Sequence, residues 1–438
     1  MKKLVALMLA MMLVLTMVPV LASAEEETIT INWMIENRSD GEIQGFYTYL
    51  IEPFEEAFPN IKVNLIPTAD LMNVVRVQLS AGQGADLVIV DGPTVAKELY
   101  DAGRLMDLAP YFEKYGWSDI LADWAESTVA EGDAYYGIPA EVEAMWLWYN
   151  PDLFEELGLE VPTNNEELYA VSKASVDAGY TAQSFGNGST QSDIDHWLSI
   201  AYNLYAGSTD LKAALRGEKK WTDDTLKGSI QWLYDYWTAG YINDSQSYAI
   251  SNDDAHTLFY TGMSTMKACG SWFYGMAMSN CEVSYDVTLF PTVRDGVDYA
   301  LPMGIGCCYT INAACSQEVA DACAELINFM LTRTDLHIQQ IVNAGLNPLP
   351  IDLPLDQFPE GTDSRLLFMM EELNNAQANL ENSGLVLWTF FPQELRQYQI
   401  DNMDKVFMGE MTVDEFCEGS QEVFDKCLAE GTVPVIPE

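Results

Sequence analysis

Apolar residues recur along this chain with two periods, and the switches between them outline its elements. From Thr28 to Ile35 every second residue is large and apolar (Ile29, Ile31, Trp33, Ile35), the period of a strand with one buried face. The polar run Glu36 to Gly41 ends that strand. Ser39 and Glu42, three apart, form a capping-box pattern and predict a helix with Ile43, Phe46, Tyr47, Leu50, Ile51 and Phe54 on its inner face. Pro53 lies inside that helix and predicts a kink or a split last turn, because proline has no N–H to give. Pro59-Asn60 stops the helix before a strand carrying Ile61, Val63 and Leu65, which completes a β-α-β unit. A further helix, striped by Leu71, Val74, Val75 and Leu79, leads through Gly82 to Asp86 into the continuous apolar run Leu87 to Val90. Such a run predicts a central parallel strand, covered on both faces.

From Leu153 to Ala268 the period is mostly helical. Ile194, Trp197, Leu198, Ala201 and Tyr202 form one stripe; Leu226, Ile230, Leu233 and Trp237 form another, opened at Thr222-Asp223-Asp224 and closed at Gly240. Strands return with Val287, Leu289 and Phe290, ending at Pro291, and with Tyr309 to Ile311. A helix from Ser316 to Thr332 follows, with Ala320, Cys323, Ala324, Ile327 and Leu331 facing inward. At 438 residues the chain exceeds the size at which one core stops growing, so two α/β domains are expected. In open parallel sheets ligands bind beyond the carboxyl ends of strands, and two such places exist here: Glu36 to Asp40 and Asp91 to Thr94.

Tyr135 to Thr163 reads YYGIPAEVEAMWLWYNPDLFEELGLEVPT. Gly137 and Pro139 break the chain, Ala144 to Tyr149 has the density of a buried strand, and Asn150-Pro151-Asp152 turns into a helix that stops at Gly158. Glu143 stands where the strand begins, a costly place for a charge unless something binds it. The stretch resembles the family 1 extracellular solute-binding proteins of ABC importers, in which Y-G-I-P, then Y-N-x-D-L-F-x-x-x-G-L and P-T, mark a crossing between lobes. Val142-Glu143-Ala144 with Tyr149-Asn150 resembles the maltodextrin-binding members, whose matching glutamate bonds sugar.

That resemblance implies a two-lobed, periplasmic-binding-protein-like fold of type II, each lobe a sheet flanked by helices, with a ligand cleft between. It assigns residues 27–140 and 292–334 to one lobe and 142–288 and 338–438 to the other. The chain is then expected to recross near Pro291 and near Thr334. The closing helices fall at Leu336 to Ala344, Arg365 to Asn379, Pro392 to Met408 and after Thr412, whose partner Glu415 completes a cap. Ligand contacts are implied for Glu36, Asn37 and Arg38, for Asp91, and for Glu143. Asp254 to Trp272 resembles the family's F-x-x-G-x-x-x-M-x-x-x-G-x-W element, which brings Trp272 to the sugar face; Trp388 holds, more loosely, the place of another stacking ring. Trp148 joins the candidates, although it shares a strand face with Trp146, so both look to the cleft or both to the core. His196 and Trp197 are read as helix packing.

Residues 1 to 24 carry Lys2, Lys3, an apolar run from Leu4 to Leu21 and Ala22-Ser23-Ala24, the pattern of a cleaved export signal, with the mature chain starting near Glu25. An uncleaved anchor is the competing reading, opposed by Pro19 and the small-residue site. The first cysteine is Cys269, so no lipid-bearing cysteine follows the apolar run, and the protein is expected to be exported, extracellular or periplasmic, without a lipid anchor. The formal net charge of −45 repels nucleic acid and anionic lipid. Eight cysteines, all beyond residue 268, leave disulfides and free buried thiols equally open; without a C-x-x-C pair and with three histidines, no metal site is expected.

No P-loop, G-x-S-x-G or H-E-x-x-H occurs, and no cofactor or catalytic set is assigned. The reading is a monomeric solute-binding component that captures a sugar or oligosaccharide and passes it to the permease of an ABC importer. Its alternatives are a secreted carbohydrate-active enzyme, or the same fold holding a polyamine, metal or peptide.

Overall fold

The computed structural model describes residues 28–188, 193–242 and 249–437; the expected export signal lies outside the described residues. Two sheets, each flanked by helices, organise the chain. In the first the strand order is Ile61–Thr68, Ile29–Glu36, Leu87–Asp91, Cys307–Ile311, Ile138–Pro139. The first three strands run parallel, and Cys307–Ile311 is antiparallel to both of its neighbours. Leu87–Asp91 is the middle strand, as its unbroken apolar run predicts, and Pro139 sits on the edge, where a missing N–H costs no ladder bond. The helix after Ser39 divides into Asp40–Phe46, a π-helical stretch Tyr47–Ile51, and Glu52–Ala57. The wide turn falls just before Pro53, where that residue's missing N–H would otherwise interrupt the ladder.

The second sheet has the order Gly384–Leu385, Pro302–Ile305, Val142–Tyr149, Ser264–Gly270, Thr181–Gln183, with Asp286–Thr288 also pairing with Val142–Tyr149. Ser264–Gly270 lies in a region whose pattern reads as helical. Every residue of this strand is buried, so neither face alternates with polar positions and the period is erased. Trp146 and Trp148 on the central strand are both fully buried.

Sheet membership moves the passages between the two halves. The strand before Pro291 ends at Thr288, yet Pro302–Ile305 still pairs with Val142–Ala144 of the second sheet, and the chain reaches the first sheet only after Gly306. The helix Thr334–Ala344 still packs on Asp40–Phe46, so the chain leaves the first half after Ala344 rather than at Thr334. Gly45 permits that packing: a Cβ there would stand 2.3 Å from the Ala344 Cβ. The three passages lie side by side. Ala140 N donates to Cys307 O (2.9 Å), Gly306 N to Glu141 O (2.8 Å) and Val142 N to Pro348 O (2.8 Å). All eight cysteines are free thiols.

Candidate functional site

The strand Ile29–Glu36 delivers Glu36 and Arg38 to the end of the first sheet, and the capping box fixes what lies next to them. Ser39 Oγ accepts from Glu42 N (3.3 Å) while Glu42 Oε2 accepts from Ser39 N (3.1 Å), which leaves Glu42 Oε1 facing Arg38. The Arg38 side chain is 5 % exposed, donates to Glu141 (2.5 Å) and Glu42 (3.4 Å), and forms an ion pair with Glu36 at 2.7 Å. Asn347 Nδ2 bridges the next pair, donating to Glu141 Oε2 (2.8 Å) and Glu143 Oε1 (3.3 Å). Glu143 pairs in register with Gly304, and the neighbouring Gly306 leaves room for its head group: a Cβ there would lie 2.0 Å from Glu143 Cδ.

One guanidinium therefore serves several carboxylates. Removal from water pushes Glu36 up to about 7; Arg38 opposes the rise, and Glu141, Asp91 and Glu42 add to it. Glu36 keeps 39 % of its side-chain surface open, so this wall is partly shielded rather than dry. Burial, then Glu141, Glu36 and Asp91, drives Glu143 well above the ordinary carboxylate range. Asp91, at the end of the central strand, is raised by burial and held back by Arg396. Burial alone would weaken the Arg38 cation, but Glu141, Glu36 and Glu42 keep its proton firmly bound.

Aromatic rings approach from the second sheet. Met145 pairs with Gly270 and Ser271 Oγ accepts from Ala144 N (3.0 Å), so Trp272 enters beside Glu143. Its ring lies over Gly270, where a Cβ would stand 1.9 Å from Cζ3. Trp388, on the short helix Leu387–Phe390, lies 5.8 Å from Trp272 between ring centroids at 73°. The Trp388 carbonyl faces Gly92: a Cβ there would be 2.5 Å from that oxygen, and φ of +73° suits glycine alone. Gly92, next to Asp91, and Trp388 thus meet where the two halves touch.

The structure brings Glu36, Arg38, Asp91, Glu143, Trp272 and Trp388 into one region and leaves Trp148 outside it. Asn37, between Glu36 and Arg38, is exposed, its N–H given to Thr68 O (3.1 Å). Trp148 is a core residue: its Nε1 donates to Cys269 O (3.2 Å) and its ring packs 5.2 Å from Phe273. The central strand is covered on both faces, so neither Trp146 nor Trp148 reaches the cleft. Four members escaped the sequence reading. Glu141 stands two residues before Glu143, a same-face spacing that carries the signal. Asn347 lies in an irregular stretch with no local signal. Arg396, paired with Asp195 (2.5 Å), and His196, whose ring lies 5.2 Å from Trp272, join only through tertiary contact.

Two α/β halves linked by three short passages, with carboxylates and aromatic rings converging where they meet, define a two-lobed binding protein. Residues 40–334 match the family model of the bacterial extracellular solute-binding proteins, and the chain belongs to that family. It is 23 % identical over 318 residues to a maltotriose-binding protein of Pyrococcus abyssi, covering 72 % of this chain and 65 % of that one. It is 24 % identical over 260 residues to a maltooligosaccharide ABC transporter solute-binding lipoprotein of Streptococcus pneumoniae, covering 57 % of each. These matches span two thirds or less of the relatives' own lengths. A chitin oligosaccharide binding protein superposes with a TM-score of 0.77 at 19 % identity, covering 92 % of this chain and all of that one. A raffinose-bound solute-binding protein gives 0.70 at 19 %, covering 91 % and 99 %. These relatives and fold neighbours are binding proteins. No helix among the described residues is long and apolar enough to cross a membrane.

Proposed function

We propose that this protein captures a sugar or oligosaccharide in the cleft between its lobes and delivers it, unaltered, to the permease of an ABC importer. The observation that carries this reading is the meeting of Glu36, Glu143 and Asp91 with Trp272 and Trp388. Pyranose rings offer apolar C–H faces to indoles and a rim of hydroxyls to carboxylates, and this region supplies both complements. Relatives that bind maltotriose and maltooligosaccharides, and a fold neighbour solved with raffinose, support the same ligand class.

Ligand contact with both walls favours a closed arrangement over an open one, with bending at residues 140–142, 305–307 and 345–351. Calorimetry with maltotriose, raffinose and chitotriose, together with chromatography of the sugars afterwards, tests the proposal. Binding with unchanged sugar is expected, and a saturating ligand at about 100 times its dissociation constant adds roughly 2.7 kcal/mol of stability. Cleaved sugar would move the protein to the carbohydrate-active enzymes, for which the raised Glu36 and Glu143 carboxyls would serve as proton donors. Silence toward every sugar, with heat from a polyamine or peptide, would change the ligand class.

A further inference from the structure

The rings of His196, Trp272 and Trp388 form one corner: His196 lies 5.2 Å from Trp272 at 52° and 6.0 Å from Trp388 at 75°. What holds His196 is on its far side. Asp193, three residues earlier on the helix Asp193–Ala201, is fully buried, and its Oδ1 is 3.0 Å from His196 Nδ1. The same carboxylate accepts from Lys267 Nζ (2.9 and 3.1 Å), Asn252 Nδ2 (2.6 Å) and Gly186 N (2.9 Å), so donors from four segments converge on it. Burial alone would raise this carboxyl, but Lys267 and His196 hold it far below its ordinary range. An ionised carboxylate has no proton to give, so His196 Nδ1 is the donor. In a neutral imidazole the other nitrogen is then a bare acceptor, directed away from Asp193.

The His196 side chain is 13 % exposed, and the Trp388 indole N–H beside it is buried without a protein acceptor among the described residues. We propose that His196 is a ligand-contacting residue: Asp193 fixes its Nδ1–H tautomer, and Nε2 accepts a hydrogen bond from a sugar hydroxyl at the corner His196 forms with Trp272 and Trp388. The inference rests on the sugar reading and sharpens it. A fixed acceptor beside two indoles selects a donor-bearing carbon at that point of the ring and discriminates against a deoxy or O-methylated one, because the unpaired nitrogen would lose its bond to water. Asp193 is a positioning residue that acts through the imidazole.

Long-range proton–nitrogen correlation on histidine-labelled, ligand-free protein reads the tautomer directly. A protonated Nδ1 and bare Nε2 at His196 are expected; a protonated Nε2 overturns the inference whether or not any sugar binds. Calorimetry with maltotriose, raffinose and chitotriose supplies the second arm. His196→Phe keeps a ring but removes the acceptor, and the affinity of the tightest of these sugars is expected to fall about tenfold. His196→Gln, which retains an acceptor, recovers part of the loss and serves in its place should His196→Phe fail to fold. Parental affinity in His196→Phe overturns the contact. If no probe binds the parent protein, the sugar reading fails and the hydroxyl contact with it, while the tautomer still stands or falls on the first arm.

Discussion

On one wall of the cleft a single guanidinium, Arg38, faces Glu36, Glu42 and Glu141, with Glu143 and Asp91 close by; on the other, Asp193 has Lys267 and Asp195 has Arg396. The electrostatic outcome differs accordingly. The shared guanidinium leaves Glu36 and Glu143 raised, whereas Lys267 holds Asp193 far below its ordinary range. Matched charges build a rigid support for a ring, as Asp193 does for His196. Excess carboxylates make a surface whose hydrogen bonds are completed by something else.

The largest effect should come from breaking the matched side. Lys267→Met leaves Asp193 buried without its principal counter-charge and is expected to cost about 3 to 5 kcal/mol in urea unfolding. A loss under about 1 kcal/mol would mean that Asn252, Gly186 and His196 suffice to hold the carboxylate. Next in size, Trp272→Ala removes a rigid apolar face and should weaken the preferred sugar by about 1 to 3 kcal/mol by calorimetry, with folding retained. Unfolding of this variant, with affinity intact in the folded remainder, would make Trp272 a core anchor.

The unmatched side should reveal itself through pH. Glu36 is raised from 4.5 to about 7, so across that interval the folded state holds a proton that the unfolded state has released. Stability contributed through this group is therefore full below about 4.5 and declines as pH rises toward 7. Urea midpoints measured from pH 4 to 8 should show the decline, and Glu36→Gln should flatten it; equal slopes in the two proteins would remove Glu36 as the source. The smallest effect is expected at Glu143→Gln. An amide keeps the shape and relieves repulsion from Glu141, so stability at pH 7 should hold or rise, while sugar affinity drops by about 1 kcal/mol. Unchanged affinity would take Glu143 out of the site.

The backbone was legible wherever one face is wet or a breaker stands between elements. The alternation from Ile29 to Ile35, the Ser39–Glu42 cap and the Leu87–Val90 run all gave their elements directly. Ser264–Gly270 did not, because burial on both faces leaves a period of neither kind and even admits Lys267 once Asp193 neutralises it. At the site, Glu143, Trp272 and Trp388 were reached through resemblance, and Glu141 was recoverable from its spacing to Glu143. Asn347 and His196 depend on contacts across more than 70 residues of chain with Glu141 and Trp272, which no local window contains. Trp148 misled because an aromatic residue next to a motif carries no sign of which side of the strand is sealed.

The passages joining the halves, bonded at Ala140–Cys307, Gly306–Glu141 and Val142–Pro348, also limit how the protein can signal. In the proposed closure, three ribbons fastened edge to edge would resist sliding and twisting but yield to bending along their common line, like the knuckles of a door hinge around one pin. Relative movement would thereby be reduced to a single rotational coordinate. A membrane partner that senses the spacing of two distant surface points would read occupancy as one angle, without touching the cargo.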